Sequence, residues 1–448
     1  MAEVTVLEKD VNEMQLAQDE ITHLERRWSQ DDELLHGSKE WRDVVKHVFI
    51  LSEAGKPIYS RHFSEEKLVS LFGVMQALVS CVSDSEDPNE LESIQAGGHL
   101  FVFLRRSPLI LVAVSQAGHS LPFLCIQLEY LYNQVVSVLT CNQLEGIYRQ
   151  RKNYDLRRLL GGAESLLNRL LDFTDDAPDV LLGAVRCLKL RPASIRDAIS
   201  NALLSHCSKL RTLVYGVLLA REEVIGMVRM KRCQLHPGDI HLLLNLVRSN
   251  ESFQNGESWA PICLPHFDPM GFLYCYVSYL SEDCRAILLL LTTDRDMFFP
   301  LSDTRCRIVE SLRKGKYLEK INEAMENGGY EMKDVDASVG GIEHFLYKHR
   351  GSSQYTCSTF PQHLSWKRIY PLYQTLHQRI HSPTRPLKLL YLTGETECIL
   401  AWETGEFEAY ITFGCLVQRS QAIAAVNNLL KWIKSQESSL FLLNLPTF

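Results

Sequence analysis

The chain has 448 residues, 46% of them apolar and 23% charged, an ordinary globular composition with room for about two to four domains. Its formal charge of −7 resides wholly in the first forty residues, where eleven acids face Lys9, Arg26, Arg27 and Lys39; the remainder sums to zero, which gives no support to nucleic-acid binding. Thirteen dispersed cysteines without a CxxC pair argue against a disulfide framework. The start, MAEVTVLEKD, argues against a signal peptide, and no apolar run reaches the ~18–20 residues of a membrane span.

Residues 1–40 are expected to form an acidic, mobile arm. The first patterned stretch is His47–Arg61. Its runs Val48–Leu51 and Pro57–Arg61 flank Glu53-Ala54-Gly55-Lys56 and predict a β-hairpin. Apolar positions at threes and fours predict a helix from Ser64 to Val82. Strands are expected at Leu91–Gln95, His99–Arg105 and Leu109–Ser115, then long helices over Leu121–Thr140 and Gln143–Phe173. Two shorter helices bridge Asp175–His206, with Pro178 and Pro192 near their starts.

The order then recurs. Leu213–Leu219 and Val224–Met230 form a hairpin about Arg221-Glu222, and Pro237–Val247 a helix. Trp259–Leu264, Phe272–Leu280 and Ala286–Thr292 are strands, with helix from Leu301 to Met325. A third copy has strands at Phe345–Lys348 and Gln354–Ser358, a helix over Trp366–Ile380, strands at Leu387–Leu392, Cys398–Glu403 and Phe407–Phe413, and a final helix over Ser420–Lys434. Three copies of β-β-α-β-β-β-α predict an α+β protein of three units, each an antiparallel five-stranded sheet flanked by helices. The expected boundaries are 41–173, 211–327 and 342–448, with a helical linker at 174–210 and a second linker at 328–341.

Catalytic constellations are absent from the sequence. Gly55-Lys56 lacks the upstream glycine and the following Ser or Thr of a phosphate loop, and no GxSxG, HExxH or GxGxxG occurs. His236, Asp239 and His241 read as a helix start, because histidines five apart do not share a face. Neither metal nor cofactor is expected, nor covalent enzyme chemistry. The basic groups Arg149, Arg151, Lys152, Arg157, Arg158 and Arg313, Lys314, Lys316, Lys320 read first as solvated helix faces, with anionic lipid or an acidic partner as the alternative.

Several segments carry a family resemblance: KHVFILSEAGKPIYSRH (Lys46–His62), FLRRSPLILVAV (Phe103–Val114), QRKNYDLRRLL (Gln150–Leu160), HPGDIHLLLNLV (His236–Val247), RPLKLLYLTGE (Arg385–Glu395) and QAIAAVN (Gln421–Asn427). From Trp41 to Phe448 the chain resembles the SAND or Mon-one family of vacuolar fusion proteins. The resemblance implies three longin domains, whose strand and helix order agrees with the pattern above. It implies pairing with a Ccz-one-type tri-longin protein, with a third scaffold subunit in animals, as a guanine-nucleotide exchange factor for a late-endosomal, Rab-seven-type GTPase. It also implies a cytoplasmic protein recruited peripherally to endosomal and lysosomal membranes that carry phosphatidylinositol 3-phosphate. Family members often carry a longer acidic N-terminal region. Forty residues precede Trp41 here, so autoinhibition by such a region is not expected.

Exchange requires a shaped surface that favours the nucleotide-free GTPase, not an acid–base pair. Under that reading the candidate GTPase contacts are Trp41, Val48, Ile50, Lys56, Pro57 and Tyr59, with Trp41 and Tyr59 as aromatic anchors. For Val48, Ile50 and Tyr59 the alternative is plain sheet core. Candidate membrane-facing residues are Arg313, Lys314, Lys316, Lys320, Lys348, Arg350, Lys367 and Arg368. A longin scaffold or tether that binds a small GTPase without unloading it is the competing function.

Overall fold

A computed structural model describes residues 44–62, 69–83, 91–96, 98–116, 118–150, 157–250, 256–281, 284–327, 340–443 and 445–448, with isolated positions 253, 332 and 335. The first unit runs β1 (Lys46–Ser52), β2 (Pro57–Ser60), α1 (Val69–Ser83), β3 (Ser93–Ala96), β4 (His99–Arg106), β5 (Leu109–Ser115), α2 (Leu121–Leu139), α3 (Cys141–Gln150), α4 (Arg157–Leu160) and α5 (Glu164–Asp176). A bridge follows: α6 (Pro178–Leu182), β6 (Val185–Arg186) and α7 (Ser194–Cys207). The second unit holds β7 (Leu213–Ala220), β8 (Glu223–Arg229), α8 (Pro237–Ser249), β9 (Ser258–Ile262), β10 (Leu273–Ser281), β11 (Cys284–Thr292), α9 (Phe298–Lys314) and α10 (Tyr317–Asn327). The third holds β12 (Ile342–His349), β13 (Gln354–Cys357), α11 (Trp366–Ile380), β14 (Leu389–Thr393), β15 (Glu397–Glu403), β16 (Phe407–Gly414), α12 (Arg419–Ser435) and α13 (Glu437–Leu440).

The three sheets share one topology. Their strand orders are β2-β1-β5-β4-β3, β8-β7-β11-β10-β9 and β14-β15-β16-β12-β13-β6, antiparallel except where β6 joins β13 in parallel. In each unit the opening hairpin lies beside the last strand, as in β1 paired with β5 from Lys46↔Ser115 to Ser52↔Leu109. Every sheet is covered on both faces, which is why its central strands read as unbroken apolar runs rather than alternating ones. One face of the first sheet packs Val48, Ile50 and Leu111 against Leu124, Leu128 and Leu131 of α2. The other packs Phe49, Leu51 and Val112 against Phe72, Met75 and Val79 of α1.

A shared helical layer holds the units together. The α2 core continues into the third unit, where Ile369, Tyr373 and Leu376 of α11 join it, and Phe123 meets Tyr370 edge-on at 6.4 Å. From the second unit α8 enters the same layer. Asn245 donates to Gln134 of α2 at 2.7 Å and to the Leu166 carbonyl of α5 at 3.0 Å.

Three features differ from the sequence expectation. The helix expected over Gln143–Phe173 is divided: α4 ends before Gly161-Gly162, where Gly162 takes φ +89°, a conformation glycine adopts without cost. The expected run from Leu301 to Met325 breaks between α9 and α10 at Gly315 and Lys316 (φ +54°). The stretch 174–210 is more than a helical linker, because Val185 and Arg186 extend the third sheet while Cys187 bridges to Val224 of the second. The C-terminus also crosses between units: Thr447 bridges to Arg229, and the Phe448 amide donates to the Arg229 carbonyl at 3.1 Å.

Candidate partner-binding surface

The β1–β2 hairpin closes through Gly55, which takes φ +75° and lies so near α1 that a Cβ there would stand 2.6 Å from the Gln76 amide oxygen. The turn is fixed from several sides. Gly55 donates its amide to the Ser52 carbonyl at 2.8 Å, and Lys56 donates its amide to the Ser52 hydroxyl at 3.1 Å. The Glu53 carboxylate accepts from the Tyr148 hydroxyl at 2.8 Å and pairs with Arg105 at 3.4 Å. This leaves Ala54 and Lys56 exposed at the tip and Pro57 half-buried.

The base of the hairpin is tied to α5 instead. Tyr59 is buried and donates its hydroxyl to Asn168. Arg61 reaches Asp172 at 2.5 Å and Asp175 at 3.0 Å, while buried Lys46 pairs with Asp175 and donates to Gln127 at 2.7 Å. Burial alone would raise the Asp175 pKa, but the neighbouring Lys46 charge and hydrogen bond hold it below the usual carboxylate range. The buried Lys46 charge is thus paired and hydrogen-bonded, as the cost of desolvation requires.

The α1 sequence VSLFGVMQALVSCVS contains no charged residue. Phe72, Met75 and Val79 face the sheet, while Gly73, Val74, Ala77 and Leu78 face outward, with Val74 57% and Leu78 40% exposed. A surface helix ordinarily turns a polar face outward. The corresponding helices of the other two units have both faces occupied. In α8, Ile240, Leu243 and Leu244 pack on the second sheet, while His241 and Asn245 reach α2; in α11, Ile369, Tyr373 and Leu376 enter the core shared with α2. The outer face of α1 and the hairpin tip beside it form an exposed, largely apolar patch, the kind of surface that marks a protein contact.

Family comparison agrees with this architecture. Models described as the first, second and third longin domains of FUZ, MON1 and HPS1 match residues 46–170, 211–310 and 341–437. The chain is 44% identical over 415 residues to vacuolar fusion protein MON1 homolog A of Bos taurus, covering 92% of this chain and 74% of that protein. It is 44% identical to protein SAND of Takifugu rubripes (92% and 78% covered) and 40% identical to MON1 homolog B of Mus musculus (92% and 77%). The chain belongs to the MON1/SAND family. Its three sheets with flanking helices are therefore three longin domains.

Within this MON1/SAND chain the predicted contacts separate into groups. Lys56 and Pro57 lie on the hairpin surface. Val48 and Ile50 do not: with no accessible surface, they lie between the sheet and α2 and serve as core, not as anchors. Tyr59 is likewise turned inward to Asn168. Trp41 lies outside the described residues. Val74 and Leu78 are not among the contacts expected from sequence, where Leu78 reads only as one of the helix's periodic apolar positions, although the absence of any charge across α1 is a usable signal.

The basic residues also divide. Arg313, Lys314 and Lys316 are exposed at the end of α9, with Lys320 paired to Glu323 at 2.8 Å. Lys367 is exposed, Arg368 grips Glu397 through two bonds of 2.8 and 2.6 Å, and Arg350 pairs with Glu403. Lys348 is not membrane-facing: its side chain, 19% exposed, turns to buried Glu408 at 3.6 Å. Among the described residues no helix is long and apolar enough to cross a membrane. The His236–Asp239–His241 stretch caps and buries α8. His236 accepts from the Gly238 amide at 3.1 Å, Asp239 pairs with His266 at 2.9 Å, and His241 accepts from the Tyr130 hydroxyl at 2.8 Å while donating to the Ala184 carbonyl. Among the described residues, His377, His381 and Glu408 form a group whose donor atoms converge closely enough to hold a metal ion.

Proposed function

We propose that this chain is one subunit of a heterodimeric guanine-nucleotide exchange factor for a late-endosomal, Rab-seven-type GTPase. It pairs with a Ccz-one-type tri-longin protein, and in animals with a third scaffold subunit. Its work is early-to-late endosome conversion and fusion of vacuoles, lysosomes and autophagosomes, at the cytoplasmic face of membranes to which it is recruited peripherally. Relatives named as vacuolar fusion proteins support the trafficking role. The observation that carries the pairing is the outer face of α1: in the second and third units the helix at this position is covered from within the chain, whereas Val74 and Leu78 remain exposed.

Under this reading α1 docks the partner's longin domain, and the adjoining tip, Lys56 and Pro57, is offered to the GTPase together with Trp41. Exchange requires no covalent step. A wedge that favours the switch-opened, nucleotide-free GTPase accelerates GDP release and is itself expelled when nucleotide returns. The exposed Arg313, Lys314 and Lys316 serve attraction to anionic, phosphoinositide-bearing membrane at about 1 kcal/mol per residue.

The test is release of a fluorescent GDP from a Rab-seven-type GTPase, with this chain alone, the partner alone and the purified pair. Acceleration by the pair alone is expected. A stable pair that binds the GTPase yet leaves the rate unchanged overturns exchange and leaves a scaffold.

A further inference from the structure

Helix α11 and strand β16 bring three strong donors to one point. His377 lies in the last turn of α11 and His381, four residues on, is its C-cap, with the two ring centroids 4.3 Å apart. Both rings turn toward Glu408 of β16, with His381 Nε2 at 3.0 Å and His377 Nε2 at 3.8 Å from Glu408 Oε1. The donor atoms of the three residues lie within 4.8 Å of one another. Tetrahedral zinc with bonds of about 2.0–2.1 Å requires donors about 3.3 Å apart, a separation these distances bracket.

The two Glu408 oxygens are unequally partnered. The second Glu408 oxygen, Oε2, is buried and accepts no hydrogen bond, its nearest cation being Lys348 Nζ at 3.6 Å. His377 Nε2, at 3.8 Å, lies beyond hydrogen-bond reach of the carboxylate. An outer shell is present as well. The Tyr410 hydroxyl donates to Glu408 at 2.6 Å, while Glu403, 3.8 Å from the other nitrogen of His381, stands outside hydrogen-bond reach.

We propose that His377, His381 and Glu408 bind a divalent ion of the zinc type. His377 and His381 also line a cavity of about 350 Å³ whose other walls come from Glu129 and Tyr130 of the first unit and His236 and His266 of the second. A water in that cavity completes the coordination. The ion pins the end of α11 to β16 at the place where all three units meet, and Lys348 is its competitor for Glu408.

Metal-stripped full-length chain titrated with Co²⁺ alone gives the test. One ion per chain is expected, with visible d–d bands, no thiolate charge-transfer band, and a higher melting temperature. His381→Ala should weaken binding by at least about 100-fold, since outer-shell changes alone cost about 10–100-fold. Lys348→Met should tighten it by about tenfold or more by removing the competing cation. Undiminished binding in His381→Ala, unchanged affinity in Lys348→Met, a thiolate band reporting cysteine ligation, or no binding overturns the site.

Discussion

Helices α1 and α8 follow the opening hairpin of their respective units and are both apolar around most of their circumference, yet they end in different surroundings. For α8 the second face is covered from within the chain by α2 and α5, through Tyr130–His241, Gln134–Asn245 and the Leu166 carbonyl. On α1 the equivalent face presents Val74 and Leu78 outward. A longin unit thus has one helix whose inner face completes its own sheet and whose outer face is available for assembly. Two of the three units use that face to build the chain, and in the first it stays exposed.

The largest effect expected from breaking this contrast is Leu243→Ala on α8. It empties a fully buried position between helix and second sheet and should cost about 2–5 kcal/mol, read as a fall in urea midpoint. Acid should loosen the same layer. Buried His241 has its pKa lowered to about 4, so the folded state keeps it neutral while the unfolded chain takes up a proton below about 6.5. Its contribution is complete above that pH and falls away toward pH 4, and His241→Gln should reduce the proton uptake on unfolding near pH 5 by about one. Helix α1 carries no histidine, so its attachment should add nothing to that slope.

The complementary change sharpens the comparison from the other side. Leu78→Glu should leave stability within ~0.5 kcal/mol, since the position is exposed, but weaken pairing with the Ccz-one-type partner about 100-fold, or about 2.7 kcal/mol, by surface plasmon resonance. The smallest effects belong to the surface charges. Reversing Arg313, Lys314 or Lys316 singly should reduce flotation with anionic vesicles by about 1 kcal/mol each, with pairing untouched.

The repeating order was legible because each strand and helix carries its own period. Leu109–Ser115 and Trp366–Ile380 have the bounds expected from sequence. What escaped were features set by distant partners. Val185–Arg186 is too short for any period and is a strand only because Gln354 and Tyr355 receive it. The return of Phe448 to Arg229 lies far along the chain from its partner. Val48 and Ile50 illustrate the limit at the candidate site: an apolar strand residue reads alike whether it faces a helix or a partner, and here α2 claims both. His377 and His381 are not among the residues read from sequence, and Glu408 lies 27 residues beyond His381 on another element.

Hydrogen exchange on the chain, free and mixed with the proposed Ccz-one-type partner, examines the free face most directly. Amides of residues 69–83 and of the 52–57 turn should slow on pairing, while 237–249 stays as protected as before. A stable pair in which α1 exchanges as fast as in the free chain would contradict the assignment of that helix as the docking face.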